Sequence, residues 1–129
     1  MDDRLFYRKR HRVRTAEEFD LVFGYKVRKS RGAMTVFIKP NGLGEHRLGL
    51  SVGRRVGNAV VRGKVKRMIR EAFRHERSGI PMASDGCGYD LVVSVRPHEA
   101  ASLEVWREWF CGSVGAAIRV VEKRGSDVS

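Results

Sequence analysis

The spacing of apolar residues changes several times along the chain, and each change marks an element. Thr15 with Glu18 three residues on forms a capping box, which predicts a short helix through Val22 or Phe23 with Phe19 and Phe23 on one face. Three strand candidates follow. "YKVRKS" is short and polar; "AMTVFIKP" alternates Met34, Val36 and Ile38 against Thr35, Phe37 and Lys39; "RLGLSVG" alternates Leu48, Leu50 and Val52 against Gly49, Ser51 and Gly53. The turn-rich "PNGLGEH" between the last two predicts that they pair as antiparallel neighbours. From Asn58, a good N-cap, the period returns to that of a helix. Val61, Val65, Met68, Ile69 and Ala72 fall on one face, and Arg62, Lys66, Arg70 and Arg74 form an i, i+4 row on another. "ERSGIPMASDGCG", Glu76 to Gly88, reads as a flexible surface loop. "YDLVVSVRP" reads as a central strand with Leu91, Val93 and Val95 inward. The closing helix "SLEVWREWFCGSVGAAIRVVEKR" is weakened by Gly112 and Gly115 and packs through Trp106, Trp109 and Phe110. The order α-β-β-β-α-β-α predicts an α/β (α+β) sandwich in a single domain, with a basic N-terminal arm over 1–11 and a disordered tail over 125–129.

If the aliphatic strand positions share one side of the sheet, the other side carries Thr35, Phe37, Lys39, Gly49, Ser51, Gly53, Val92, Ser94 and Arg96. An aromatic ring on a floor of Gly and Ser, with Lys and Arg at its margin, suits stacking by a single-stranded nucleic acid. The first helix could instead cover that side and bury Phe19, Phe23 and Phe37 together. A partly covered cleft satisfies both readings.

Charge sharpens this picture. The chain has 129 residues and a formal charge of +11, but residues 1–77 hold 21 Lys and Arg against 8 Asp and Glu, whereas 78–129 hold 5 against 7. One half therefore builds a basic surface. Arg62, Lys64 and Lys66 lie in the first turns of the second helix, where the macrodipole already favours acids. The only carboxylate from Gly53 to Arg74 is Glu71, placed to serve Arg67. Cations set against local stability point to a polyanionic partner rather than to a solvated face. No apolar stretch approaches a membrane span, and "RKRHRVR" is not followed by the apolar core of a signal peptide, so the expected setting is cytoplasmic without a membrane partner. Cys87 and Cys111 fit a reducing compartment.

The chemistry the chain lacks is equally informative. "GNAVVRGKV" is not a phosphate-binding loop, because five residues separate Gly57 from Gly63 and Val65 stands where Ser or Thr would hold magnesium. The strand-like stretch before Asn58 argues against a helix-turn-helix reader and hence against DNA. His11, His46, His75 and His98 are scattered, and the basic segment has no paired carboxylates and no nucleophile with a nearby base. Nothing here predicts a catalytic residue, a protein-bound metal or an organic cofactor. A metal-dependent nuclease acting alone is disfavoured, and a plain RNA-binding or ribosome-associated protein remains the alternative to an RNA-based enzyme's subunit.

"GLSVGRRVGNAVVRGKVKRMIREAF", Gly49 to Phe73, closely resembles the signature of the bacterial ribonuclease P protein component, and "RVRTAEEFDLVF", Arg12 to Phe23, resembles that family's opening helix. The resemblance extends in order through the strand at Asp90 to Val95 and the final helix. It implies a left-handed βαβ crossover and a role as the protein subunit of a ribonucleoprotein, binding the catalytic RNA and precursor tRNA. The RNA, with Mg2+ at its own active site, would remove the 5′ leader. Carried over by position, it implies RNA contact by Arg54, Arg55, Asn58, Arg62, Lys64, Lys66, Arg67 and Arg70. It likewise implies a leader-binding cleft of Arg12, Arg14, Phe19, Phe23 and Phe37. The family's usual Arg-Asn-Arg is here Arg62, Gly63 and Lys64, so no asparagine contact carries over to Gly63. A glycine there costs about 1 kcal/mol of helix stability relative to Ala while allowing a close backbone approach.

Overall fold

A computed structural model describes the backbone of residues 9–128 and the side chains of residues 10–124; of the basic arm expected over 1–11 and the tail expected over 125–129, residues 1–8 and Ser129 lie outside it. The elements are α1 (Ala16–Tyr25), β1 (Arg28–Arg31), β2 (Met34–Pro40), β3 (Arg47–Ser51), α2 (Ala59–Glu76), β4 (Tyr89–Val95) and α3 (Leu103–Val128). Short 3-10 turns occupy Lys9–His11, Arg54–Val56 and Arg77–Gly79. The α-β-β-β-α-β-α order expected from periodicity is present. Helix α1 runs two residues past Phe23 and stops where Lys26 takes the left-handed conformation at φ 63°, which moves Tyr25 out of the first strand candidate. Helix α3 is continuous through Gly112 and Gly115. At Gly112 a Cβ would come within 2.7 Å of the Arg31 Nε, so the missing side chain lets Arg31 lie across the helix.

The sheet order is β1-β2-β4-β3. Strands β2 and β3 are therefore not neighbours, contrary to expectation: β4 lies between them, antiparallel to β2 and parallel to β3. The connection that looked like a hairpin turn instead arches around the start of β4. Asn41 donates its backbone N–H to the Gly88 carbonyl at 3.0 Å, and Gly88 returns one to Leu43 at 2.8 Å. A Cβ on Gly88 would meet the Glu45 carbonyl oxygen at 2.3 Å, so only glycine lets the arch pass this close.

The parallel pair β3 and β4 is joined through α2, and backbone chirality fixes the hand of that crossover. Ile38 and Leu48 both turn their side chains toward α2 and α3. The Ile38 N–H points outward to the Val27 carbonyl (3.1 Å), and the Leu48 carbonyl points outward to the Val13 N–H (3.0 Å) at the opposite edge. For L-residues these directions place β4 to the left of β3 when the sheet is seen from the helices with β3 pointing up. The crossover is left-handed, the rare hand for a βαβ unit.

The main core lies between the sheet and the helix pair, where Val36, Ile38, Leu48, Leu91 and Val93 meet Ile69 and Phe73 of α2 and Trp106, Phe110 and Ala117 of α3. A smaller core of Val13, Val22 and Val92 lies on the other side, beneath α1. One polar network ties that side together. Arg47 makes a bidentate pair with Asp90 (Nε–Oδ1 2.8 Å, Nη2–Oδ2 2.7 Å) and reaches Glu18 Oε2 with its Nη1 at 2.7 Å, joining β3, β4 and α1. Asn41 adds a bond to Asp90 Oδ1 at 2.9 Å. Removing the cation strands a carboxylate whose side chain is only 8% exposed. Arg47→Met should therefore cost about 3–5 kcal/mol, read as a lowered urea midpoint, while the Arg47→Met/Asp90→Leu pair should recover much of it; a single variant as stable as the wild type would remove the network from the fold's supports.

Candidate nucleic-acid interface

Helix α2 begins as its sequence dictates, with the Asn58 side chain accepting the Val61 N–H at 3.0 Å. Its buried face is Val65, Ile69, Ala72 and Phe73, with Met68 half-buried. Val61, expected in this face, is 42% exposed, and Val60 beside it is 81% exposed. Both residues lie in the first turn, ahead of the buried cluster that begins at Val65. Glu71 also departs from expectation. It pairs with Arg74 at 2.6 Å and lies 3.6 Å from His75, rather than serving Arg67, and Arg74's hydrogen bonds hold its carboxyl below the usual range. Arg54, Arg55, Lys64, Lys66, Arg67 and Arg70 consequently make no ion pair among the described residues. Arg62 donates to the Gly57 carbonyl at 3.2 Å. The expected basic residues thus gather on α2 and the turn before it. Gly63 is exposed, and a Cβ there would meet nothing within 4 Å; no packing contact explains the glycine.

The opposite side of the sheet is organised in rows set by strand register. The lower row is Lys39, Asp90 and Arg47; the middle row is Phe37, Val92 and Gly49; the upper row is Thr35, Ser94 and Ser51. Helix α1 covers the lower and middle rows. Its Phe19 ring lies over Gly49, where a Cβ would come within 2.8 Å of it, so the glycine lets α1 sit down on the sheet. Phe23 packs edge-on against Phe37 with centroids 4.8 Å apart, and Phe19 lies 6.3 Å from Phe23. The rings are neither wholly buried nor wholly open: Phe19 and Phe37 are half-buried and Phe23 is 36% exposed. The partly covered cleft is the arrangement found. Its uncovered part is the upper row, a floor of hydroxyls in which Ser30 and Thr35 share a 2.8 Å hydrogen bond. Arg28 stands at the margin, its guanidinium carbon 5.9 Å from the Phe37 centroid.

Arg12 and Arg14 lie on the other flank. The segment runs alongside β3 through a parallel bridge between Arg12 and Leu48, so Val13 turns inward while Arg12 and Arg14 are exposed. The open row of the cleft and the basic turn before α2 lie at the same end of the sheet. Strands β3 and β4 are parallel and finish together at Ser51 and Val95; Arg54–Val56 and the first turn of α2 follow Ser51 directly. The open row of the cleft therefore borders the unpaired cations.

Comparison with known proteins places this arrangement. The family model described as Ribonuclease P matches residues 7–111. The chain belongs to the ribonuclease P protein family. It is 42% identical over 99 residues to the ribonuclease P protein component of Brevibacillus brevis, covering 73% of this chain and 72% of that one. It is 39% identical over 91 residues to that of Chromobacterium violaceum, covering 70% of each. Among solved structures, the RNase P protein from Thermotoga maritima superposes with a TM-score of 0.69 at 30% identity, covering 84% of this chain and 96% of that chain. The Staphylococcus aureus RNase P protein gives 0.70 at 26%, covering 83% and 94%.

The motif marks the basic residues of α2 and the turn before it, but the sequence reading did not find the ion pairs that hold the cleft in place. Arg47 and Asp90 carry no motif, and Glu18 was read only as the capping-box residue of α1; the signal for their network is that strand pairing brings Asp90 beside Arg47, and that pairing was misassigned. The seat of α1 depends on Glu18 twice. It closes the capping box, accepting from the Arg14 and Thr15 N–H groups at 3.0 and 3.1 Å, and it binds Arg47. The Arg14 N–H, then that of Thr15, then Arg47 lower its carboxyl to about 2. Because the folded value lies below the ordinary 4.5, this support is complete above pH 4.5 and is lost as the pH falls toward 2. Glu18→Gln keeps a capping oxygen but cannot titrate, so its melting temperature should lie below the wild type's at neutral pH and converge with it in acid. A constant gap from neutral pH down to about 2 would contradict this role.

Proposed function

We propose that the exposed cations of α2 and of the turn at Arg54–Val56 hold the catalytic RNA, while the cleft beneath α1 receives the single-stranded 5′ leader of precursor tRNA. The chain is the protein component of ribonuclease P, and its work is tRNA processing. The observation that carries the finer assignment is the meeting of the two regions at one end of the sheet. An RNA on Arg54, Arg55, Asn58, Arg62, Lys64, Lys66, Arg67 and Arg70 borders directly on a strand lying across the Ser51, Ser94 and Thr35 floor. Phe23 and Phe37 offer that strand ring surfaces for stacking, and Arg12, Arg14 and Arg28 flank its phosphates. The hydroxyl floor supplies donors and acceptors with no fixed pattern, which suits leaders of varied sequence.

The chain's contribution to the reaction is binding and orientation. Among the described residues, no three His, Cys, Asp or Glu side chains converge as a metal site. We assign the magnesium ions to the RNA. No helix among the described residues is long and apolar enough to cross a membrane; the proposed partnership with the catalytic RNA and precursor tRNA is what puts the expected setting in the cytoplasm.

Two outcomes test the two surfaces separately. Arg67→Ala and Arg70→Ala should each weaken binding of the catalytic RNA and lower the slope of log K against log salt by roughly one unit, since each phosphate contact releases about one counterion; an unchanged slope would make these residues a solvated face. Phe23→Ala should lose about 1–3 kcal/mol of affinity for holoenzyme with leader-bearing tRNA and little for leaderless tRNA. An equal loss for both substrates would exclude Phe23 from the leader site, and its melting temperature shows whether α1 still docks.

A further inference from the structure

The first turn of α2 holds a feature that phosphate binding leaves unexplained. Val60 and Val61 are exposed at the centre of the basic region, 81% and 42% respectively, where a surface serving only phosphates has no use for apolar groups. Beside them opens a cavity of about 220 Å³ between α2 and the segment joining β4 to α3. Val61, Val65, Met68 and Trp106 form apolar walls, and Lys64 and His98 are its polar members. The cavity is smaller than the roughly 300–1,000 Å³ clefts that take drug-sized ligands, and suits a single planar ring system.

The polar members define what that ring system carries. His98 Nδ1 lies 2.8 Å from the Arg96 carbonyl, which can only accept, so Nδ1 bears a proton and the acceptor of the neutral imidazole is Nε2. The imidazole is held edge-on to Trp106, centroids 5.0 Å apart, and to Trp109 at 6.4 Å, which fixes its orientation. Lys64 makes no ion pair among the described residues, and neither do Arg54 and Arg55 just before the helix. The cationic surroundings therefore suit a polyanion, the walls suit an apolar ring, and His98 in the lining offers an acceptor for an N–H donor. We infer that this cavity takes one unstacked nucleobase of the RNA lying along α2, with a preference for bases bearing an exocyclic amino group. This rests on the assignment of α2 to RNA and adds to it a base-reading position. Splayed bases held by apolar and aromatic side chains are a general mode of single-stranded RNA recognition. Lys64 serves the adjoining phosphate or a ring acceptor, and His98 Nε2 accepts from the amino group.

The test uses the whole chain with nucleotides as probes. In methyl and indole NMR spectra, adenosine monophosphate should shift Val61, Val65, Met68 and the Trp106 N–H in a saturable manner, and uridine monophosphate should do so more weakly. Ribose 5-phosphate, which carries the charge without the base, should leave these signals in place. His98→Ala should weaken adenosine monophosphate about tenfold. It should also weaken the catalytic RNA without changing the salt slope, because no phosphate contact is lost. Equal shifts from ribose 5-phosphate, no shift at saturating nucleotide, or a reduced salt slope in His98→Ala would each overturn the base pocket. The α2 assignment fails separately, through unchanged slopes in Arg67→Ala and Arg70→Ala, so loss of one reading is not mistaken for loss of the other.

Discussion

Arg47 joins three elements that no apolar contact alone would hold in register. Its guanidinium meets Asp90 on the central strand through two parallel bonds and Glu18 on α1 through a third. The planar fork suits two carboxylates at once, and a lysine could not replace it. The network sits at the lower edge of the cleft and decides how far α1 slides toward the upper row. The depth of the opening beside Phe37 is thus set by an ion pair that does not itself line the open part.

The two faces of the sheet divide the labour accordingly. The helix side is a conventional core in which Phe73 and Phe110 meet edge-on, centroids 6.2 Å apart, and Trp106 and Phe110 are buried. That side gives α2 a rigid seat, and α2 carries its cations away from the sheet. The other side has a small core of Val13, Val22 and Val92, completed by half-buried rings. A thin core is what leaves aromatic surface accessible, and Gly49 keeps it thin by admitting Phe19. Stability is concentrated on one side so that the other can be left incomplete.

Most elements were legible because periodicity and caps are local. Thr15 with Glu18 and Asn58 mark two helix starts correctly, and alternation marks the strands. Sheet order was not legible. "PNGLGEH" has the composition of a hairpin turn, but nothing local in it says that β4, forty residues on, will come between β2 and β3. The error hid Arg47, whose partner is known only once β3 and β4 are neighbours. Glu71 was assigned to Arg67 by helical spacing, yet Arg74 is also one turn away and takes it, so spacing alone could not choose. Val61 had the right spacing for the core, but it lies one turn ahead of Val65, where the buried cluster begins. The basic face of α2 was readable because unbalanced charge needs no tertiary knowledge, whereas the cleft needed the sheet.

The position of β4 has a consequence for how the molecule comes into being. It is the last strand made and the only one bonded to both β2 and β3. Until residue 95 is available, β3 has only its bridge to Arg12 and the main core has no central strand. The preceding segment, rich in Lys and Arg, then carries like charges that no central strand holds in a fold. Closing the parallel pair brings together residues more than forty positions apart, an entropic cost met before any contact is gained. The nascent chain therefore carries the cations of α2 before β4 is there to complete the sheet beneath them. An RNA that engages those cations early would meet a flexible chain and could favour its ordering, linking assembly of the ribonucleoprotein to completion of the sheet.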